Sequence, residues 1–481
     1  MGQNYCAPAS AIHTGYIAPT DLFGHPKGLF VLFFTEMWER FSYYGMRALL
    51  ILYMIEALHY DMHHAAAVYG LYQGLVYLTP VFGGLIADRY MGQRRAILLG
   101  SLLMAAGHFA MCFRPVGVFY FALGLLILGN GFFKPNISVI VGKLYADDDP
   151  RRDGAFSIFY MGINIGAFLS PLICGALGQL VGWHYGFGAA GVGMVLGTLI
   201  YICGQRHLGE HGLLPAPRVV ETEDQKLVRA VAALSGLTSA SGGGPGATQP
   251  SLDGGPGVPV KLTRIEWQRL GVLLALGVFG NIVFWAAFEQ AGSSMALFAD
   301  KSTRLHLALF NFDVPSSWFQ SINPLFIGLL APLFSAMWIK LAKRQREPST
   351  PLKFVLGMLL VSAGFGTMVV AGHAFDASGA RVSMFWLVGA FFLNTCGELC
   401  LAPVGLSAVT KLAPARLASL MMGLWFGSMS IGNWLSGQLA GEYDVVSKAE
   451  FFSVPAYVAL ATGVLLLALC RPLQRYMHGV H

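Results

Sequence analysis

Glu36, Glu39, Arg40, Tyr43 and Arg47 lie between Leu29 and Ile55, an apolar run long enough to cross a bilayer, and four of the five carry a full charge. On a helix advancing 100° per residue, all five point within about 60° of the direction of Glu36. The stripe they form rises about 16 Å along the axis. A charge at mid-bilayer costs about 2.5–3.5 kcal/mol even on the lenient insertion scale, so such residues need partners or a water-filled path. Partners are available in other apolar runs: Lys134 in NGFFKPN, Glu289 in FWAAFEQAGSS and Glu398 in NTCGELCLAPVG. Four carboxylates against three bases leave one net negative charge, which a single proton neutralises. Burial raises a carboxylate's affinity for a proton and a neighbouring base lowers it, so moving a partner loads or releases the proton. The chemistry on offer is reversible protonation inside a membrane. Static ion pairs that fix helix register are the other reading of the same residues.

The elements that must position these groups are membrane spans. The 481-residue chain is 55% hydrophobic and 12% charged, with a mean hydropathy of +0.59, outside the range of ordinary soluble domains. Twelve mostly apolar runs start near Leu29, Ala66, Ala96, Val116, Ala155, His184, Trp267, Ser316, Leu352, Val382, Leu417 and Phe452. An all-α integral membrane fold of twelve transmembrane helices follows, with the bilayer as its surroundings. If both termini are cytoplasmic, 23 of the 31 Lys and Arg residues fall on that side and five outside: Arg114, Lys301, Arg304, Arg381 and Lys448. This bias predicts a multi-pass protein with both ends inside. The net charge of +6 then reports topology, and no nucleic-acid partner is expected. Met1 to Lys27 has no cleavable apolar signal, so the first span is expected to direct insertion. The seven cysteines lie mostly in spans without ligand spacing, so neither a disulfide framework nor a metal site is expected.

Between the sixth and seventh runs, SGGGPGATQPSLDGGPG is too rich in Gly and Pro to pack, and ETEDQKLVRAVAALSGL before it suits only a short amphipathic helix. The chain therefore divides into a six-helix bundle over 1–206, a flexible cytoplasmic linker over 207–262 and a second six-helix bundle over 263–481. The halves echo one another weakly. Thr79-Pro80 and ADRYMGQRR in one correspond to Asn323-Pro324 and IKLAKRQRE in the other. Such paired bundles suggest the major facilitator fold, with a substrate held between halves near the midplane.

The sequence resembles the proton-dependent oligopeptide transporter family of the major facilitator superfamily, in a bacterial form. Its first-span pattern E-x-x-E-R-F-x-Y-Y-G stands complete as EMWERFSYYG, and GGLIADRYMGQRRAILLGSLLMAAG (83–107) and FSIFYMGINIGAF (156–168) match two further signatures. FQSINPLFI, GELCLAPVGLS and GLWFGSM fit its later spans. The resemblance implies a symporter of the bacterial inner membrane that imports di- and tripeptides with protons by alternating access. It needs no cofactor beyond the proton as coupling ion and has no enzymatic activity; a monomer is expected. Proton coupling is implied at Glu36, Glu39, Arg40, Lys134, Glu289 and Glu398, with Lys134 facing Glu398. Arg47 and Glu289 are implied as a salt-bridge gate across the halves. Peptide contacts map to Tyr43, Tyr44, Arg47, Tyr77, Lys134, Asn164, Trp285, Asn323, Glu398 and Trp425. These types suit a zwitterion, whose ammonium takes Glu398 and amide oxygens and whose carboxylate takes Arg40, Arg47 or Lys134.

Three positions depart from the family pattern. Gly70 stands where animal members have a histidine, Ala402 stands where many members have Ser, and no extra helix pair fits in the linker. Sensing of protons must then rest on carboxylates, with His63 and His64 read as solvated. Asp88 and Arg89 end the second span and form either a cytoplasmic latch or simple positive-inside anchoring. A same-fold carrier of nitrate, a glycoside or a drug, and a peptide receptor that does not transport, are the alternatives.

Overall fold

A computed structural model describes residues 21–146, 149–214, 262–307, 311–414 and 417–478. The first half comprises α1 (Lys27–Glu56), α2 (Met62–Ile86), α3 (Gly92–Ala110), α4 (Val116–Lys143), α5 (Arg152–Ser170) and α6 (Trp183–Gly204). In the second half, α7 (Arg264–Ala275), α8 (Val283–Phe288) and α9 (Ser294–Ser302) form one broken span, followed by α10 (Ile322–Lys343), α11 (Thr350–Ser378), α12 (Phe385–Leu412), α13 (Ala418–Ala440) and α14 (Lys448–Tyr476). Among the described residues, nine stretches are long and apolar enough to span a membrane. One of them, Met62–Ala110, holds both α2 and α3, joined through the π-helical turn Ala87–Met91 and Gly92 at φ +76°. Adding α1, which carries the charged stripe, and the less apolar α13 gives twelve spans.

Local chemistry sets the helix ends. Asp61 accepts from the His64 amide at the start of α2, and Thr263 and Glu266 form a reciprocal cap on α7. Pro26 and Pro115 precede α1 and α4, where a missing N–H is harmless. Within the first half α1 lies against α5 and α6, and α3 against α4; in the second, α11 packs on α12 and α14.

The linker boundary differs from the sequence expectation. Residues 207–214 fold back onto the first half: Leu208 is buried, Arg94 Nε donates to His211 O at 2.7 Å, and the Arg94 amide donates to Gly212 O at 2.9 Å. An arginine at the end of a span finds carbonyl acceptors there that a free linker cannot offer. The Gly/Pro-rich stretch and the expected amphipathic helix lie outside the described residues.

Both halves have their chain ends on one side, here termed the linker side: Gly28 packs against the His207 carbonyl, and Gln268 bonds His478. Every described hydrogen bond between the halves lies toward the opposite side. Ser430 Oγ donates to Gly74 O at 2.6 Å, Ser321 Oγ to Phe168 O at 2.7 Å, and the Ser317 amide to Gln179 Oε1 at 3.1 Å. Backbone meets backbone between α2 and α13, where a Cβ on Gly70 would stand 2.7 Å from Gly437 Cα and one on Gly437 only 2.4 Å from Gly70 Cα. No histidine fits at position 70 in this closed seam. On the linker side the halves diverge: across 328–343 no residue is buried, whereas Ser316, Ser317, Phe319 and Ser321 at the other end of that span are. The molecule is closed on the side away from the linker and open toward it.

Gly437→Leu should hold that seam apart. With Ser317→Cys as the reporter in a cysteine-free background, labelling by a water-soluble maleimide should speed up at least about tenfold, the equivalent of ~1.4 kcal/mol in the opening equilibrium. Unchanged protection contradicts the seam's role.

Candidate functional site

The stripe on α1 folds into a chain of charge pairs. Arg40 makes a two-pronged contact to Glu39, its Nη2 reaching Oε1 at 2.5 Å, and its Nε stands 3.5 Å from Glu36 Oε1. Lys134 donates to the same Glu36 oxygen from α4. Asn130, one turn before Lys134, accepts from Arg40 Nη2 at 3.2 Å and donates to Val76 O at 2.9 Å, tying α1, α2 and α4 together. Glu36 and Glu39 are fully buried, and Arg40 is 5% exposed. The Lys134 side chain keeps 31% of its exposure while its counter-ion keeps none. Glu36 Oε2 is buried without a hydrogen-bond partner, an acceptor with room in its bonding for one proton.

About two turns along α1, Arg47 crosses to the other half. Its Nη2 lies 2.5 Å from Glu289 Oε2, and its Nε donates to Tyr69 Oη at 2.9 Å. Gln73 Nε2 donates to the same Glu289 oxygen at 3.1 Å, while Gln73 Oε1 accepts from Tyr43 Oη at 2.7 Å. Local backbone makes this approach feasible. Glu289 opens a 3-10 turn, Glu289–Gly292, and a Cβ on Gly292 would meet Tyr69 Oη at 2.0 Å and Arg47 Nη2 at 2.9 Å. Arg40 lies over the Tyr43 ring at 4.8 Å, and Arg47 over Tyr44 at 5.7 Å, so aromatic faces cover the guanidinium groups between ion-pair partners.

The remaining residues picked from the sequence divide by position. Tyr77 approaches Trp285 across the halves, ring centroids 6.4 Å apart, and Trp285 Nε1 is held by Asn281 Oδ1 at 3.0 Å. Asn323 Nδ2 donates to Glu398 Oε2 at 2.9 Å and to Thr395 Oγ1 at 3.0 Å. Asn164 donates back to Tyr160 O on its own helix. Two others are held within their own half. Lys134 has Glu36 as its ion-pair partner, with no described contact to Glu398. Trp425 is 5% exposed, edge-on to Phe354 and flush against Gly405, so it packs the second half. The described partners of Asp88 and Arg89, Gln93 and the ring of Tyr90, belong to their own half, so no latch across the halves is seen among the described residues.

Sequence reasoning missed Gln73, Tyr69 and Asn130. A signal existed for the first two: Tyr69, Gln73 and Tyr77 recur every four residues, one polar face of α2. Asn130 lies four residues before Lys134 on the same face of α4.

Two bundles of six spans, sealed at one end around a buried ionic network and open at the other, define a secondary membrane carrier of the major facilitator type. The model of the POT family matches residues 94–242 and 265–457, and the chain belongs to that family. It is 39% identical to the peptide transporter YePEPT of Yersinia enterocolitica, covering 95% of this chain and 96% of that one. It is 37% identical to a di-/tripeptide transporter of Lactococcus lactis subsp. cremoris, over 95% and 98% of the two chains. The crystal structure of a peptide transporter POT in complex with sulfate superposes with a TM-score of 0.82 at 38% identity, covering 95% of this chain and 97% of that one.

Removing one partner of the Arg47–Glu289 pair should be far worse than removing both. Glu289→Ala leaves a buried guanidinium uncompensated and should destabilise the protein by about 3–5 kcal/mol in denaturant unfolding, whereas Arg47→Met with Glu289→Leu should recover most of the loss. A double variant as unstable as the single one contradicts the pairing.

Proposed function

We propose that the protein is a proton-coupled symporter that imports di- and tripeptides by alternating access across a bacterial inner membrane, with the linker side facing the cytoplasm. The carrying observation is the contrast at Lys134: an ammonium reachable from the open side, bound to a glutamate that is not. Glu36, Glu39, Arg40 and Lys134 together are neutral. A peptide carboxylate that draws Lys134 or Arg40 toward itself adds one negative charge and weakens the hold on Glu36. A carboxylate buried with less compensation takes up a proton, and Glu36 Oε2 stands ready to receive it. The peptide ammonium is served by Glu398, with Asn323 orienting that carboxylate. Tyr44, Tyr77 and Trp285 offer area to varied side chains without demanding one shape.

Alternation follows from the cross-half pair. Protonating Glu289 removes its charge, frees Arg47 and unlocks the outer seam, so the site turns outward when a proton has entered there. Movement of one charge through 100 mV supplies about 2.3 kcal/mol, enough to accumulate peptide roughly 50-fold. Site roles and cytoplasmic termini are parts of this proposal, supported by family membership and by the charge pattern, and we propose that the carrier acts as a monomer.

In liposomes, labelled dialanine should accumulate under an inward proton gradient, and an uncoupler should abolish the accumulation. Lys134→Ala should lose gradient-driven accumulation. Parent vesicles indifferent to the gradient would sink the symport reading, and a Lys134→Ala protein that accumulates like the parent would remove the lysine from coupling.

A further inference from the structure

Gln73 is fully buried, as Glu289 and Tyr43 very nearly are, and it is the described residue that hydrogen-bonds both: Tyr43 Oη to its Oε1 at 2.7 Å, and its Nε2 to Glu289 Oε2 at 3.1 Å. Nothing in the charge arithmetic requires an amide here. Its chemistry does something a hydrocarbon cannot, because it offers donors on one end and an acceptor on the other.

We propose that Gln73 is a donor–acceptor switch, a positioning residue that reports the protonation state of Glu289 to Tyr43 beside the peptide site. The inference rests on the symport reading above. An ionised carboxylate only accepts, so with Glu289 charged the amide must turn its NH2 toward Glu289 and its oxygen toward Tyr43, which donates. That is the arrangement observed. When Glu289 gains a proton from solution, its O–H becomes a donor. Before the seam parts, the amide turns over, Oε1 accepts from Glu289, and Nε2 donates to Tyr43 Oη. Only hydrogen bonds are exchanged beyond the one proton taken up. The Tyr43 hydroxyl proton, no longer held by Gln73, is free to be donated to a carbonyl or carboxylate oxygen of a peptide beside Arg40. A carboxylic acid keeps one acceptor oxygen, so the turn is driven when the proton sits on Oε2, the oxygen that Gln73 contacts; there an unturned amide would set an O–H against an NH2 in a buried space, a mismatch worth about as much as an unsatisfied buried donor.

The groups facing this pair are few. Arg47, Tyr43 and Tyr44 come from α1, Tyr69 and Tyr77 from α2, and Glu398 from α12. Arg47 pairs with the same Glu289 oxygen that Gln73 contacts, so the ion pair is part of the observed setting of the switch. Tyr69 accepts from Arg47, so among the described hydrogen bonds the route from Glu289 to Tyr43 runs through the one amide.

The prediction concerns how peptide affinity varies with pH, not its absolute value. Dialanine binding to the full protein in lipid nanodiscs, measured calorimetrically at about pH 6 and about pH 8, should be at least about fivefold tighter at the lower pH in the parent, a typical coupling between linked sites. Gln73→Met keeps the volume but neither donates nor accepts as the amide does, and should cut that ratio to less than about twofold. Tyr43→Phe, which removes one hydroxyl, should do the same, and the two together should lose no more than either alone. A purely structural amide would weaken binding equally at both pH values and leave the ratio standing, which overturns the proposal. So does a parent ratio below twofold. Tyr43→Phe decides the matter by itself if Gln73→Met does not fold. A parent that accumulates dialanine under a gradient, with the pH ratio intact in Tyr43→Phe, refutes the switch and leaves the symport reading in place; a parent that fails to accumulate removes both.

Discussion

A charge in the interior of a membrane must have a partner in every arrangement the protein adopts. That constraint organises this structure more than any packing contact. Arg47 is committed to Glu289 in the opposite half, and Lys134 to Glu36 in its own, so each rearrangement of the halves is also a redistribution of charge. A carrier built this way cannot open its closed end without either exposing Arg47 to water or neutralising its partner with a proton. In the proposed cycle, coupling is then a property of the fold and needs no separate device.

The backbone makes the constraint enforceable. Gly70 and Gly437 let α2 and α13 touch, and Gly292 lets Arg47 and Tyr69 come up against the broken seventh span. The 3-10 turn at Glu289–Gly292 and the π-helical stretch Leu276–Ile282 interrupt that span where it must present a carboxylate to another bundle. Irregular backbone is tolerated at membrane depth where protein surrounds it. The charged stripe on α1, by contrast, rides on an unbroken helix of 30 residues, a rigid rail against which the partners move.

Much of this was legible in the sequence. One-face spacing of Glu36, Glu39, Arg40, Tyr43 and Arg47 predicted the stripe, hydropathy predicted the spans, and the motif EMWERFSYYG pointed to the family. What escaped was whatever depends on distance between segments remote in sequence. The partner of Lys134 is set by how α4 lies against α1, which no spacing encodes. Trp425 sits in a family motif, yet Gly405 and Phe354 absorb it into the core of the second half. Residues 207–214 read as linker because they adjoin the stretch that leads to SGGGPGATQPSLDGGPG, while the arginine that holds them, Arg94, lies over a hundred positions away. Gln73 looked like one polar residue in an apolar span, and only its two bonds reveal its place between gate and site.

The central claim is that protonating Glu289 unlocks the closed end. The most direct test is the distance between spin labels at His59 and Glu442, on the side away from the linker, in nanodiscs titrated between about pH 8 and 5. The parent should gain a longer-distance population as pH falls, and Glu289→Gln, already neutral, should show that population at every pH. A parent distribution that does not move with pH, or a Glu289→Gln protein that still shifts as the parent does, would contradict the account.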